Sequence, residues 1–217
     1  MTIHHPIRAR RSPKLGEPTW DIAQLYPTQG TWTVEQYLNL NTNHLVEFSD
    51  GVLEFLPMPT EFHQCLMLFL YNALSTFVSS RGLGMVLAAP MKVRINSRKY
   101  REPDVLLMLS ANAQRRRNKF WEGADLVMEV VSPDDPSRDF EDKREHYALA
   151  GIPEYWIIDP ERREIIVLTL RGKRYIERGA YGMGRRATSG LLKGFGVDVS
   201  KLFKSADAAR ASGGSDD

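Results

Sequence analysis

The order of apolar patterns along this chain predicts a mixed α/β domain, a central sheet with helices packed against it. Two observations carry that expectation. Strand-like and helix-like stretches are interleaved, running hairpin, helix, strands, helix and more strands, an order that suits a sheet covered by helices. The segment Asp125 to Gly151, DLVMEVVSPDDPSRDFEDKREHYALAG, then reads as one strand–turn–helix unit on which the rest is organised. The 217 residues suffice for one domain with a full core, or a domain plus tails.

Residues 1–30 are rich in Pro, Arg and Thr without periodicity and read as a loosely ordered arm. Its arginines can touch phosphate or simply be solvated. The folded domain is expected over residues 31–204. Thr33 to Leu40 suggests a short helix, with Thr33 as N-cap and Gln36 in the capping-box position. In HLVEFSDGVLEFLPMP, Asp50-Gly51 marks a hairpin turn between two apolar strands, with Glu47 just before it. Glu61 to Ser80 places Leu66, Phe69, Leu70, Ala73, Leu74 and Phe77 on one helical stripe. His63 falls in its first turn, where a histidine is a cap or surface residue more often than a ligand. Met85 to Ile95 alternates loosely and reads as one strand, and Lys99 to Arg101 as a basic loop. Pro103-Asp104 opens the apolar strand Val105 to Met108. Glu154 to Asp159 is another buried strand, and Glu164 to Leu170 with Arg174 to Glu177 a hairpin about Gly172. Gly190 to Phe203 alternates weakly and closes the domain. From Ser205 to Asp217, small and acidic residues predict a flexible tail.

The central unit places charge where apolar residues are expected. Leu126 to Val131 is β-prone throughout except for Glu129, and a carboxylate inside a buried strand costs several kcal/mol (roughly) unless a cation, a metal or a shifted pKa compensates it. Pro133 and Pro136 keep the next stretch out of helix, Ser137 or Asp139 can cap the helix, and Gly151 can stop it. Within that helix Lys143 lies at i+3 from Phe140 and i−4 from Tyr147, so it points inward with them. If the strands bearing Asp104 and Glu129 are neighbours, two carboxylates converge on Lys143. Hard oxygen ligands of this kind suit Mg²⁺ or Mn²⁺; a buried Glu129–Lys143 salt bridge without metal is the competing reading. Separately, Arg115, Arg116, Arg117 and Lys119 stand beside Phe120 and Trp121, a combination that fits either nucleic-acid phosphate contact and base stacking or a solvated loop with an apolar anchor.

Composition narrows the classes further. The formal charge of +2 offers no global field for a polyanion, so nucleic-acid binding must come from local patches. Cys65 is the single cysteine; it excludes an intramolecular disulfide and reads as a core thiol. No apolar run approaches the roughly 20 residues of a membrane span. Arg8, Arg10 and Arg11 precede no apolar stretch, so no secretory signal is expected and the cytoplasm is the default. The sequence contains no GxxxxGK[ST] loop, no GxGxxG after a strand, no HExxH and no GxSxG elbow.

Taken jointly, Pro103-Asp104, Glu129-Val130-Val131-Ser132-Pro133, Asp139-x-x-x-Lys143-x-x-x-Tyr147 and Gly151-Ile152-Pro153-Glu154-Tyr155-Trp156, with Asp50-Gly51, Pro57 and His63, resemble the Uma2 family of the PD-(D/E)XK, restriction-endonuclease-like superfamily. The similarity spans Thr33 to Phe203. It implies an αβββαβ core, a mixed sheet flanked by helices with an added N-terminal hairpin and C-terminal strands, and a site at one edge of the sheet. It implies Asp104 and Glu129 as ligands of Mg²⁺, or Mn²⁺ in its place, with the Val130 carbonyl as a further ligand and Glu47 as an additional acid nearby. In the superfamily pattern a lysine follows the Glu by two residues; Val131 stands there, and Lys143 on the next helix takes the role. Ser132, Tyr147 and His63 are accessory candidates, whereas Tyr155 and Trp156 are expected in the core. The expected activity is metal-dependent endonucleolytic hydrolysis of DNA, in keeping with a homodimer although no self-complementary surface is visible. A nucleic-acid-binding module without cleavage, and a structural or assembly protein, are the other readings.

Overall fold

The structure, a computed structural model, describes residues 26–42 and 44–212. The arm expected at the N-terminus, with Arg8, Arg10 and Arg11, lies outside the described residues up to position 25, as do the last five residues of the expected tail.

The first elements follow the sequence expectation. Helix α1 (Val34–Leu38) starts at Thr33, where the Thr33 and Gln36 side chains exchange reciprocal cap bonds. Strands β1 (Val46–Ser49) and β2 (Val52–Phe55) form the hairpin. Asp50 and Gly51 both have positive φ, 50° and 90°, the turn geometry whose twist matches the flanking strands. A side chain at Gly51 would also collide with the Gly30 carbonyl. The Gln29 amide pairs with both backbone groups of Leu53, so the chain is tied to β2 from that point on. Helix α2 (Glu61–Ser79) buries Leu66, Leu70, Leu74 and Val78, one per turn.

Beyond α2 the structure departs from the sequence reading in several places. The single strand expected over Met85 to Ile95 is two, β3 (Gly84–Ala88) and β4 (Lys92–Asn96), which belong to different sheets. The break falls at Pro90, which has no N–H to donate to a ladder. Lys99 to Arg101 is strand β5 (Lys99–Arg101) rather than a loop, because Tyr100 and Arg101 are both buried. Strand β6 (Val105–Leu109) leads into a 3-10 turn (Ser110–Arg115) and the short β7 (Phe120–Trp121), and then comes β8 (Leu126–Val130). The next helix starts with a π-helical turn (Arg138–Asp142) that runs into α3 (Lys143–Leu149). Neither residue expected as its cap fills that role. The Ser137 hydroxyl donates to Asp135 at 2.6 Å, Asp135 accepts weakly from the Arg138 N–H at 3.4 Å, and Asp139 is buried.

Strand β9 (Glu154–Asp159) and the hairpin β10 (Glu164–Arg171) and β11 (Arg174–Tyr181) follow, with Gly172 at positive φ in the turn. The weakly alternating stretch after Gly190 contributes only β13 (Gly196–Asp198), paired with β12 (Arg186–Thr188). It passes directly into helix α4 (Val199–Ser212). The stretch expected to fray from Ser205 is therefore helical as far as it is described. Leu202, Phe203 and Ala206 are buried in the cluster that contains the apolar face of α2, and that burial holds the helix.

Six strands form the main sheet in the order β11-β10-β9-β8-β6-β3, and only β8 and β9 run parallel. Read along the chain, α2-β3-β6-β8-α3-β9 is the αβββαβ core of a restriction-endonuclease-like fold. A second sheet, β2-β1-β5-β4-β7, packs beside α1 around Tyr37, Phe48 and Tyr100. Both faces of the main sheet are covered, so β8 carries no solvent-facing residue. Leu126, Met128 and Val130 face the α2 and α4 side, while Val127 and Val131 face the side of Tyr147. No helix among the described residues is long and apolar enough to cross a membrane.

Candidate active site

The site grows from strand alternation. Glu129 shares the face of Val127 and Val131, and Asp104 shares the parity of Leu106 and Met108, which are in the same cluster. Strands β6 and β8 are hydrogen-bonded neighbours, with Val105 opposite Met128. The two carboxylates therefore meet at the end of β6, on the face covered by α3. Each is held by backbone beside the other. The Asp104 N–H donates to Glu129 Oε2 at 3.3 Å, and the Val130 N–H donates to Asp104 Oδ2 at 2.8 Å.

Lys143 completes the group. Its ammonium lies 3.0 Å from Glu129 Oε2 and 2.8 Å from Asp139 Oδ1, and its side chain is 9% exposed. The i+3 and i−4 spacing seen in the sequence thus does turn this lysine inward. The Tyr147 hydroxyl, one turn later, donates to Glu129 Oε1. His63 Nε2 is 3.1 Å from Asp104 Oδ1, so the first-turn histidine of α2 faces the site rather than solvent. Ser132 contributes its backbone N–H to Asp139 Oδ2 at 3.4 Å. The Val131 N–H bonds the Ile158 carbonyl, which by alternation turns both backbone groups of Val130 toward Asp104.

Asp139, expected from the sequence as a helix cap and not as a site residue, is buried against Lys143 and belongs to the site. The signal was present: Asp139 is i−4 from an inward lysine, the spacing of a helical ion pair. Two arginines were missed as well. Glu47, fully buried, accepts from Arg101 at 3.0 Å, from Arg138 and from the Glu102 N–H at 3.0 Å. It adjoins the site as an anchor whose oxygens are already engaged. Glu102 pairs with Lys92 at 2.9 Å. The basic run lies elsewhere. Arg115, Arg116, Arg117 and Lys119 follow the far end of β6, roughly 20 Å from Asp104 at strand rise. There Arg115 donates to the Glu122 carbonyl, Arg116 to Met85 Sδ and Lys119 to Asn39, and Arg117 pairs with Glu122.

The electrostatics follow from burial and like charge. Burial pushes the Glu129 carboxyl above the usual range despite Lys143, and Asp104 and Asp139 push it further. Burial alone would lower Lys143, but Glu129 and Asp139 outweigh it and hold the ammonium charged. Burial likewise opposes the charge on His63, and the bond to Asp104 overcomes it, so its pKa is raised. For Glu47 burial raises the pKa, yet Lys143, Arg101 and Arg138 together bring it below the ordinary value. The centre thus gathers Asp104, Glu129 and Asp139 around one ammonium and one imidazole.

A divalent ion fits this donor set. Among the described residues no three His, Cys, Asp or Glu side chains form a metal-holding cluster. Mg²⁺, however, characteristically takes one or two carboxylates and completes its shell with water and substrate phosphate. Asp104 and Glu129 supply that pair where carboxylate charge exceeds local cationic charge. They open into a cavity of about 850 Å³ lined by Leu56, Met58, Phe62 and the Val130–Phe140 segment.

The family described as "Uma2: Putative restriction endonuclease" matches residues 34–200. A solved structure of "a putative nuclease belonging to DUF820 from Anabaena variabilis ATCC 29413" superposes with a TM-score of 0.64 at 17% identity, covering 81% of this chain and 99% of that one. At that identity the likeness concerns the fold. No curated protein matches the chain.

Proposed function

From the premise that the chain belongs to the Uma2 family, we propose that it is a metal-dependent endonuclease that hydrolyses phosphodiester bonds in DNA. The observation that carries this reading is the Asp104 and Glu129 carboxylates held side by side by the Val130 and Asp104 N–H groups, next to a buried, charged Lys143. Asp104, Glu129 and the Val130 carbonyl would hold Mg²⁺, with Mn²⁺ as a substitute. Bound there, such an ion lowers the pKa of water and offsets charge on the phosphorus-centred transition state.

The protein's own groups do the rest. Tyr147 fixes one oxygen of Glu129 and leaves the other toward Asp104 and Lys143. His63 steadies Asp104. Lys143, charged because Glu129 and Asp139 flank it, orients the attacking water and offsets negative charge on the scissile phosphate. Water oxygen bonds to phosphorus and gives up a proton to solvent, one P–O ester bond breaks, and the departing oxygen takes a proton from solvent.

Plasmid and single-stranded DNA are incubated with Mg²⁺ or Mn²⁺, using the native protein beside Asp104→Ala, Glu129→Ala and Lys143→Ala. The expected result is cleavage by the native protein alone; equal activity in all four rejects the site. A structural role has one observation in its favour, because Asp139 already neutralises Lys143. Calorimetric titration with Mn²⁺ separates the two readings: a purely structural cluster takes up no ion.

A further inference from the structure

The cavity above the carboxylates has a mixed lining. Leu45, Leu56, Met58, Phe62 and Met67 make its apolar part, and Met58 is 67% exposed. The remainder is rich in acid. Nine carboxylate side chains line the cavity against three from Lys or Arg, and two of those cations are closely paired. Arg138 binds Glu47 and Glu54, Lys143 binds Glu129 and Asp139, and Arg162 is exposed and lies 3.8 Å from Asp159. An opening with so few cations gives little hold on the two phosphate backbones of a duplex, and the one phosphate that enters depends on the ion that Asp104 and Glu129 would hold. Its volume of about 850 Å³ is that of a small-ligand site, about 300–1,000 Å³. Glu129, which lines it, is 1% exposed, so a phosphate must enter the cavity to reach it.

We propose that the site takes an unpaired nucleotide, from a single-stranded or locally opened segment. Its base lies against the Leu56–Met58–Phe62 side and its phosphate reaches Asp104 and Glu129. This rests on the nuclease reading and names the substrate class within it. Phe62 and Asp104 line the same cavity, and His63, the next residue after Phe62, bonds Asp104, so one nucleotide spans both. A base presents an apolar face whatever its identity, and stacking tolerates any sequence. Recognition here therefore selects the unpaired state rather than a base sequence.

Fluorescence anisotropy tests this with labelled oligonucleotides of one sequence, single-stranded or annealed, and the full chain with Ca²⁺ in place of Mg²⁺ to hold back turnover. The single strand is expected to bind at least tenfold more tightly than the duplex. Phe62→Ala should weaken the single strand at least fivefold and leave the duplex unchanged. Because Phe62 also contacts the core, Met58→Glu, a change at an exposed position, provides a second variant with the same expected loss. Equal or tighter duplex binding, no measurable binding of the single strand, or no effect of Met58→Glu overturns the proposal. Cleavage with Mg²⁺ or Mn²⁺ is scored separately. If no nucleic acid is cut, the nuclease reading falls while the binding preference is still decided. If duplex and single strand are cut equally, the nuclease reading stands and the unpaired-nucleotide proposal falls.

Discussion

Among the described residues Lys143 is the only cation within 3.0 Å of Glu129 and Asp139, and replacing it by Met removes that charge while keeping most of the side chain's volume. At an effective dielectric of about 20, each of the two contacts carries roughly 5 kcal/mol of Coulomb energy before desolvation is subtracted. The ammonium's own burial cost offsets much of that. Breaking a buried pair by deleting one partner leaves a net loss of about 3–5 kcal/mol, a large share of the roughly 5–15 kcal/mol that holds a domain together. The loss depends on pH in a defined direction. Burial already raises Glu129 above its ordinary value of 4.5, and without Lys143 it rises further. Between the unfolded and folded values the folded protein then binds more protons than the unfolded one, so stability falls as pH rises through that window. The variant should be weakest at neutral pH and above, and approach the native protein near pH 4. Urea unfolding at intervals from pH 4 to pH 8 measures this. Adding Glu129→Gln to Lys143→Met should restore at least about 1 kcal/mol at pH 8. A loss that is constant across pH, or one below about 1 kcal/mol at pH 8, would refute the reasoning.

Glu129→Gln alone should abolish metal-dependent cleavage yet shift stability by no more than about 1 kcal/mol in urea, since a charge that burial disfavours is removed while Asp139 still holds Lys143. Arg101→Met should cost about 3 kcal/mol, the lower end for a buried pair, because Glu47 keeps Arg138; thermal unfolding reads it. His146 is depressed to about 4 by burial, Arg101 and Lys99, so between pH 6.5 and 4 the unfolded chain binds more protons and stability falls as pH falls. The gross value is halved to about 1–2 kcal/mol for a half-buried ring, and His146→Gln should flatten that slope in a pH series. Arg163→Ala, at the exposed pair with Asp207, should cost less than about 1 kcal/mol by the same measurement.

What could be read from the sequence was whatever one element records by itself. A carboxylate amid Leu126 to Val131 and a lysine between Phe140 and Tyr147 announce themselves by position, and both lie in the site. The hairpin turn, the α1 capping box and the face of α2 are local patterns of the same sort. Asp104 had no such signal; a carboxylate at a strand start is ordinary, and only its neighbour in the sheet gives it meaning. Asp139 was hidden by a π-helical turn in which a cap was expected. Helix α4 was hidden by composition, because Ser, Ala and Asp suggest a tail, whereas three residues packed in the α2 cluster fix it. Strands β4, β5 and β7 have two to five residues each, too short for alternation to declare them.

Glu47 shows why the site cannot be separated from the second sheet. It sits on β1, its partner Arg101 is 54 residues away on β5, and its other partner Arg138 is 91 residues away in the turn that opens the Lys143 helix. Arg101 and Arg138 also share Glu54 on β2. One buried carboxylate thus fastens the N-terminal hairpin to the segment that aims Lys143. No pattern along the chain relates these residues, because the bond exists only once both sheets are formed. The depressed pKa of Glu47, which burial alone would raise, reflects that assembled state, with Lys143 among the cations that lower it. Lys143 is therefore held directly by Glu129 and Asp139, while Arg138, in the turn that opens its helix, ties that helix to the Glu47 network. A change confined to the hairpin should consequently be felt at a lysine nearly a hundred residues further along the chain.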